Sequence, residues 1–171
     1  MLKNMKGQSA MEYLMTYGWA LLVIVIVIAV LMFIKPFGAP ETCLFQQSGF
    51  ACEGHRFSAG TTGNPDGAFY AKITNGQQKA IVVSKVACVT GSQSPSTWTA
   101  ISTDNNVGAE QYIAALWSGN GVKCYDADGN VFPLEKGSDF SGRLYIQYKY
   151  KGEPDSIPVK TTIATIIGPV Q

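Results

Sequence analysis

The chain has 171 residues, 13 Lys plus Arg against 12 Asp plus Glu, and 46% hydrophobic residues, a size that suits one globular domain with an appendage. A formal charge of +1 with only 15% charged residues gives no basic surplus for counterion release, so nucleic acid is not an expected partner. The single histidine, His55, leaves no material for a His-based triad or a multi-His zinc site; no enzyme activity and no cofactor are expected.

The apolar residues are unevenly spread. From Tyr13 to Ile34 run 22 residues without one charge, YLMTYGWALLVIVIVIAVLMFI, and as a helix at about 1.5 Å per residue they reach about 33 Å, enough for a bilayer core. Leu21 to Ile34 has no polar face, which excludes an amphipathic helix of a soluble protein. The stretch needs lipid or other apolar helices around it. Its β-branched run Val23 to Ile28 would suit a strand, but a lone strand in lipid leaves its backbone unpaired, whereas a helix pairs its own. Lys3 and Lys6 before the run and Lys35 after it favour an inside N-terminus. Residues 40 onward, rich in Ser, Thr, Gly and Tyr and holding all four cysteines, read as an exported domain.

The segment ahead of the run, Lys6-Gly7-Gln8-Ser9-Ala10-Met11-Glu12-Tyr13-Leu14, resembles archaeal type IV pilins with a class III signal peptide. That family has a short basic leader, a glycine at the cut, a Gln-x-Ser-x-Glu type string and a long apolar helix. Here Gln8 and Glu12 keep their offset, while Ser9 follows Gln8 directly and Ala10 stands where the serine is usual. The resemblance covers roughly residues 3 to 35. It implies that a prepilin peptidase cuts between Gly7 and Gln8 on the cytoplasmic side and leaves the apolar segment on the mature chain. It also implies that pilus assembly machinery then builds a homopolymer from subunits first held in the cytoplasmic membrane. Archaellins share the leader but as a rule lack a string like Gln8 to Leu14, so a pilus is expected rather than an archaellum.

An ionised carboxylate inside a bilayer costs about 2.5–3.5 kcal/mol on insertion scales unless paired or interfacial, so Glu12 needs a reason. At the interface it would favour the positive end of the helix dipole. After a cut at Gly7 it lies four residues from the new amine, one helical turn away on the same face; the resemblance implies a role in assembly, meeting the N-terminus of a neighbouring subunit. Tyr13, Tyr17 and Trp19 read equally as an interfacial belt or as fillers between packed helices, and Gly18 as a point of close approach or bending.

Residues 36–42, PFGAPET, stop the helix and make a short linker. Residues 43–171 then form one region with short β-branched or aromatic runs: residues 69–74, 80–90, 122–125, 131–134, 142–150 and 157–167 are strand candidates. Leu144, Ile146 and Tyr148 share one face of their run, and Arg143, Tyr145 and Gln147 the other. Asn75-Gly76 and Asp128-Gly129 are turn signals between runs, and residues 109–117 have helical composition. The region reads as a small all-β sandwich. The resemblance implies an Ig-like or β-barrel head, with Lys72 to Gly76 and Val86 to Cys88 as its central strand pair. The expected fold class is therefore α+β, a leader over residues 1–7, an apolar helix over 8–35, a linker over 36–42 and a β head over 43–171.

Cys43, Cys52, Cys88 and Cys124 form an even set in an exported domain, the mark of a disulfide framework. Four cysteines allow three pairings. Cys43 with Cys52 is favoured because Ser48 and Gly49 turn the intervening loop, and Cys88 with Cys124 follows by elimination. A metal site on Cys43, Cys52 and His55 is the rival, but C-x8-C-x2-H lacks the paired CxxC of strong zinc signals. Asp126 to Asn130 does not match the EF-hand spacing and reads as a turn. Asp66, Asp104, Asp139 and Asp155 occupy loop-like contexts with no spacing that supports a carboxylate pair. The loops over residues 58–66 and 91–106 read as exposed, with Trp98 as an anchor tucked under the second. No Asn-x-Ser/Thr sequon occurs. The expectation is a structural subunit of an extracellular archaeal type IV pilus with its head exposed for adhesion; the alternatives are a membrane-anchored domain that binds ligands without polymerising, or a minor pilin.

Overall fold

The computed structural model describes residues 5–34, 40–62, 65–101, 106–119 and 121–171. The chain divides into two compact units, Met1–Gly38 and Ala39–Gln171.

The first unit is one helix, α1 (Met5–Ile34), 30 residues without a break. Within it Met11–Phe33 is long and apolar enough to cross a membrane. Its described side chains are exposed on every side, because Leu, Ile and Val alternate with no helical period and give no preferred face to bury. Pro36, two positions beyond Ile34, cannot continue a helix and disfavours helical geometry at Lys35. Of the segment expected as a linker, residues 36–39 lie outside the described residues, and its last residue already belongs to a strand.

The second unit is mostly β. Its strands are β1 (Thr42–Phe45), β2 (Phe50–Ser58), β3 (Ala68–Asn75), β4 (Ile81–Thr90), β5 (Thr99–Ala100), β6 (Asn106–Val107), β7 (Cys124–Tyr125), β8 (Asp139–Tyr150) and β9 (Lys160–Pro169), with a single helical turn, α2 (Ala114–Trp117), ahead of β7. Seven strands form one sheet along β1-β9-β8-β4-β5, and β6 and β7 also pair with β4. One edge of β4 is thus covered piecewise: β6 at Ile81 and Val82, β5 at Lys85 and Val86, and β7 at Cys88 and Val89. Only β7 runs parallel to β4. A second sheet holds β2 and β3. Bridges from Val122 to Phe69 and from Tyr112 to Thr74 continue it past β3. Among the described residues no sheet closes into a barrel.

The two sheets share one core. Phe57, Phe69, Ala71 and Ile73 from the small sheet and Ile81, Val83, Val86, Leu144, Ile146, Ala164 and Ile166 from the large one are buried in a single cluster, the two-layer solution for sheets with one apolar face each. The period-2 pattern is clean in β3 and β9. It slips in β4 between Val83 and Lys85 and in β2 between Cys52 and Gly54, where an extra residue re-aims the side chains that follow.

Several expectations are corrected. Residues 131–134 are not a strand: Val131 makes one bridge to Tyr125, and Pro133 has no N–H to extend a ladder. The last strand starts at Lys160 rather than 157, because Pro158 breaks the run. Strands β1 and β2 were not expected, and residues 109–117 yield only the four-residue α2. The Asn75-Gly76 turn does not join paired strands. It carries the chain from β3 in one sheet to β4 in the other, so these two are not a central pair. Asn75 is buried and organises that crossover: its side-chain amide donates to the carbonyls of Lys79 (3.0 Å), Val107 (3.3 Å) and Gly108 (3.0 Å), and its Oδ1 accepts from the Gln77 N–H (3.1 Å).

Candidate functional site

The helix carries one acidic group among its described side chains, Glu12, which is exposed. Gly7 and Gln8 lie on the same continuous helix, so Gln8 and Glu12 stand one turn apart on one face; the side chains of residues 5–10 lie outside the described residues. The hydroxyl of Thr16 donates to the carbonyl of Glu12 at 2.8 Å, which satisfies a polar side chain within its own helix. The rings of Tyr13 and Tyr17 stack with centroids 4.5 Å apart, and nothing lies within 4 Å of where a Cβ on Gly18 would stand.

Both disulfides are formed, and no described cysteine is free. Cys43–Cys52 spans a Cα separation of 5.9 Å and straps β1 of the large sheet to β2 of the small one. Cys88–Cys124 joins register partners on β4 and β7, with Cα atoms 4.4 Å apart and both residues buried. His55 lies beside the first bridge: the donor atoms of Cys43, Cys52 and His55 all fall within 4.8 Å of one another. With both sulfurs in a disulfide neither is a thiolate, so the trio is not a zinc ligand set in this state. The His55 ring instead packs edge-on to Phe57 (5.7 Å), and its Nε2 lies 3.0 Å from the Ile167 carbonyl.

Asp126 closes a tight turn. Its Oδ1 accepts from the N–H groups of Asn130 (2.8 Å) and Asp128 (3.0 Å). These bonds, that of Asn130 first, hold its carboxyl below the usual range. Trp98 anchors its loop on the outer face of the large sheet, edge-on to Tyr145 at 6.3 Å, beside Ala87, Val89 and Ile163. Tyr145 Oη donates to the Gln93 carbonyl (2.7 Å) and Arg143 Nη1 to that of Ser92 (2.8 Å), pinning the same loop. Of the loop carboxylates, Asp66 pairs with Lys123 at 2.6 Å, Asp155 with Lys149 at 3.4 Å, Asp139 opens β8, and Asp104 lies outside the described residues.

Two charged arrangements had no motif to announce them. On the small sheet Lys72 Nζ lies 2.6 Å from Glu53, and its ammonium faces the Tyr112 ring at 5.5 Å. The pair lowers the Glu53 carboxyl and raises the Lys72 ammonium, and Arg56 lies 4.7 Å over the Tyr70 ring. On the large sheet Lys79 and Lys160 both face the ring of Tyr150. A signal existed in the cation–aromatic alternation of β2 and β3, but the bulge at Cys52 and Gly54 hides which residues share a face.

No family model, no curated protein and no solved structure matches this chain.

Proposed function

We propose that this chain is the structural subunit of an extracellular archaeal type IV pilus, made as a membrane-held precursor and cut between Gly7 and Gln8. The observation that carries the reading is a 30-residue helix, apolar around its circumference from Leu21 to Phe33, with the Gly7-Gln8-Glu12 string at its start. Such a helix has two stable surroundings, lipid and copies of itself. Before assembly it anchors the subunit in the cytoplasmic membrane; in the filament the same surface becomes the core of a helical bundle. Heterologous contacts between identical copies that do not close produce an open filament.

The doubly bridged two-sheet unit supports the exported half of this reading, since disulfides persist in oxidising surroundings. We read it as an Ig-like sandwich head that presents loops such as the Trp98-anchored one for adhesion, with neither catalysis nor a cofactor. The alternatives are an anchored domain that binds ligands without polymerising, and a minor pilin.

The test is to shear filaments from native cells and determine the N-terminus and intact mass of the chain in that fraction. The expected result is an abundant chain starting at Gln8, about 4 Da lighter than its four-thiol mass because each disulfide removes two hydrogens. A chain that stays in the membrane with residues 1–7 attached overturns the reading in favour of the anchored domain.

A further inference from the structure

The strands give the second unit two ends. At one, Ile81 pairs with Tyr150 and Lys160 with Tyr148; at the other, Thr90 pairs with Gly142, Pro169 with Asp139 and Thr42 with Ile167. The two ends differ in charge and in shape.

The first end carries Lys79, Lys149, Lys151 and Lys160 against Glu110, Glu153 and Asp155, around a partly apolar hollow. Val82, Tyr150 and Val159 line a cleft of about 410 Å³ together with Ser84, Gly152, Lys149 and the carboxylates Glu153 and Asp155, and Val82, Ile157 and Val159 are exposed. Lys79 and Lys160 stand 5.7 and 3.7 Å from the centroid of the Tyr150 ring. The local carboxylates are mostly spent: Glu153 on Lys160 at 3.3 Å and Asp155 on Lys149 at 3.4 Å. Glu110 remains exposed nearby on the turn beside Asn75. Lys79 and Lys151 have no carboxylate partner among the described residues.

The second end is acidic with an apolar knob. Asp126, Asp128, Glu135 and Asp139 fall in one segment against a single cation, Lys136, and none of the four is ion-paired among the described residues. Between them Phe132 is 39% exposed, its ring resting edge-on against Phe140 at 6.0 Å.

We propose that this acidic end of one subunit docks on the lysine-bearing end of the next copy, with Phe132 seated in the cleft of Val82, Tyr150 and Val159, and Asp128 and Glu135 facing Lys79 and Lys151. The occupant is a second copy because both halves of the contact lie on one chain at opposite ends. An apolar anchor inside a rim of opposite charges is the usual anatomy of a specific contact. Joined this way, identical subunits add without closing. The inference rests on the filament reading and specifies which surfaces of the head meet.

Charge reversal with rescue tests it in native cells. Lys79→Glu with Lys151→Glu, and separately Asp128→Lys with Glu135→Lys, should each lower the chain recovered in sheared filaments at least about tenfold, and all four together should restore it. Asp126 is left intact because it holds its own turn. An unchanged melting temperature and the mass of two disulfides establish that each variant is folded. Wild-type-like assembly of both double variants, or failure of the fourfold variant to recover, overturns the inference while leaving the pilin reading intact. Absence of the wild-type chain from filaments overturns the pilin reading itself.

Discussion

At the residue scale, two polar side chains buried among the described residues make opposite predictions. Asn75 is fully buried, and its amide serves three carbonyls where the chain changes sheets. Asn75→Ala strands those acceptors, and the cost should be about 2–3 kcal/mol, read as a lower urea midpoint of the detergent-solubilised chain. Thr162 is as deeply buried, yet its hydroxyl finds no partner among the described residues. Thr162→Val keeps the shape and removes the unpaired group, so the same titration should show a gain of about 1 kcal/mol. Asp126 adds a pH signature. Its carboxyl is held below the ordinary value by backbone N–H groups of its own turn, that of Asn130 foremost. A depressed folded-state pKa contributes stability that is full above the unfolded-state value and is lost as pH falls through the folded one. Asp126→Ala should therefore melt lower than the parent at neutral pH, and the gap should narrow as the pH drops below the carboxylate range. A gap that is constant with pH would show that the turn does not depend on the charge.

At the element scale, the disulfides act on different distances. Cys43–Cys52 closes 9 residues and Cys88–Cys124 closes 36. The chain-entropy relation then gives roughly 2.5 kcal/mol for the first and roughly 4 kcal/mol for the second. Replacing each pair by serine should cost more at Cys88 and Cys124, where two buried positions on neighbouring strands also become polar, and a larger loss in melting temperature for the Cys43/Cys52 variant would contradict that order. The strands tied by these bridges also show which parts of the fold could be read from sequence. Strands β3, β4, β8 and β9 are eight or more residues long and rich in β-branched and aromatic residues, so their composition marks them. β2 escaped because Glu53-Gly54-His55-Arg56 reads as polar loop, while the bulge at Cys52 and Gly54 lets Phe50 and Phe57 both face the core. β5 and β6 are two residues each and exist only because β4 offers an open edge, which is tertiary information, whereas β7 falls within the run expected over residues 122–125. The same holds for the site: the helix, the Gly7-Gln8-Glu12 string and the cysteines were legible, whereas the Tyr150 cation cluster joins residues 79, 150 and 160 and needed the fold to assemble it.

At the scale of the whole molecule, the proposed function requires the helix to be stable in two surroundings, and Glu12 is where their demands conflict. Lipid penalises an ionised carboxylate in the span, and the one lysine or arginine on the described helix, Lys6, precedes the Gly7–Gln8 position. An anchor that never leaves the membrane would lose nothing if Glu12 became neutral, and would insert more readily. A polymerising subunit would lose a polar contact. With residues 1–7 removed as proposed, Glu12 would stand one turn from the new N-terminus, too close along its own helix to need a neighbour for a weak interaction. In a bundle, however, the same carboxylate can meet the N-terminus of an adjacent copy in apolar surroundings, where the attraction between opposite charges is far stronger than in water. Glu12→Gln and Glu12→Ala should therefore leave membrane insertion and cleavage intact, measured as the amount and N-terminus of the chain in the membrane fraction. Both should cut the chain recovered in sheared filaments by at least about tenfold, with the glutamine variant retaining more because it keeps a hydrogen-bonding oxygen. Undiminished filament recovery for the alanine variant would mean that the helix polymerises by packing alone, with Glu12 merely marking the edge of the span.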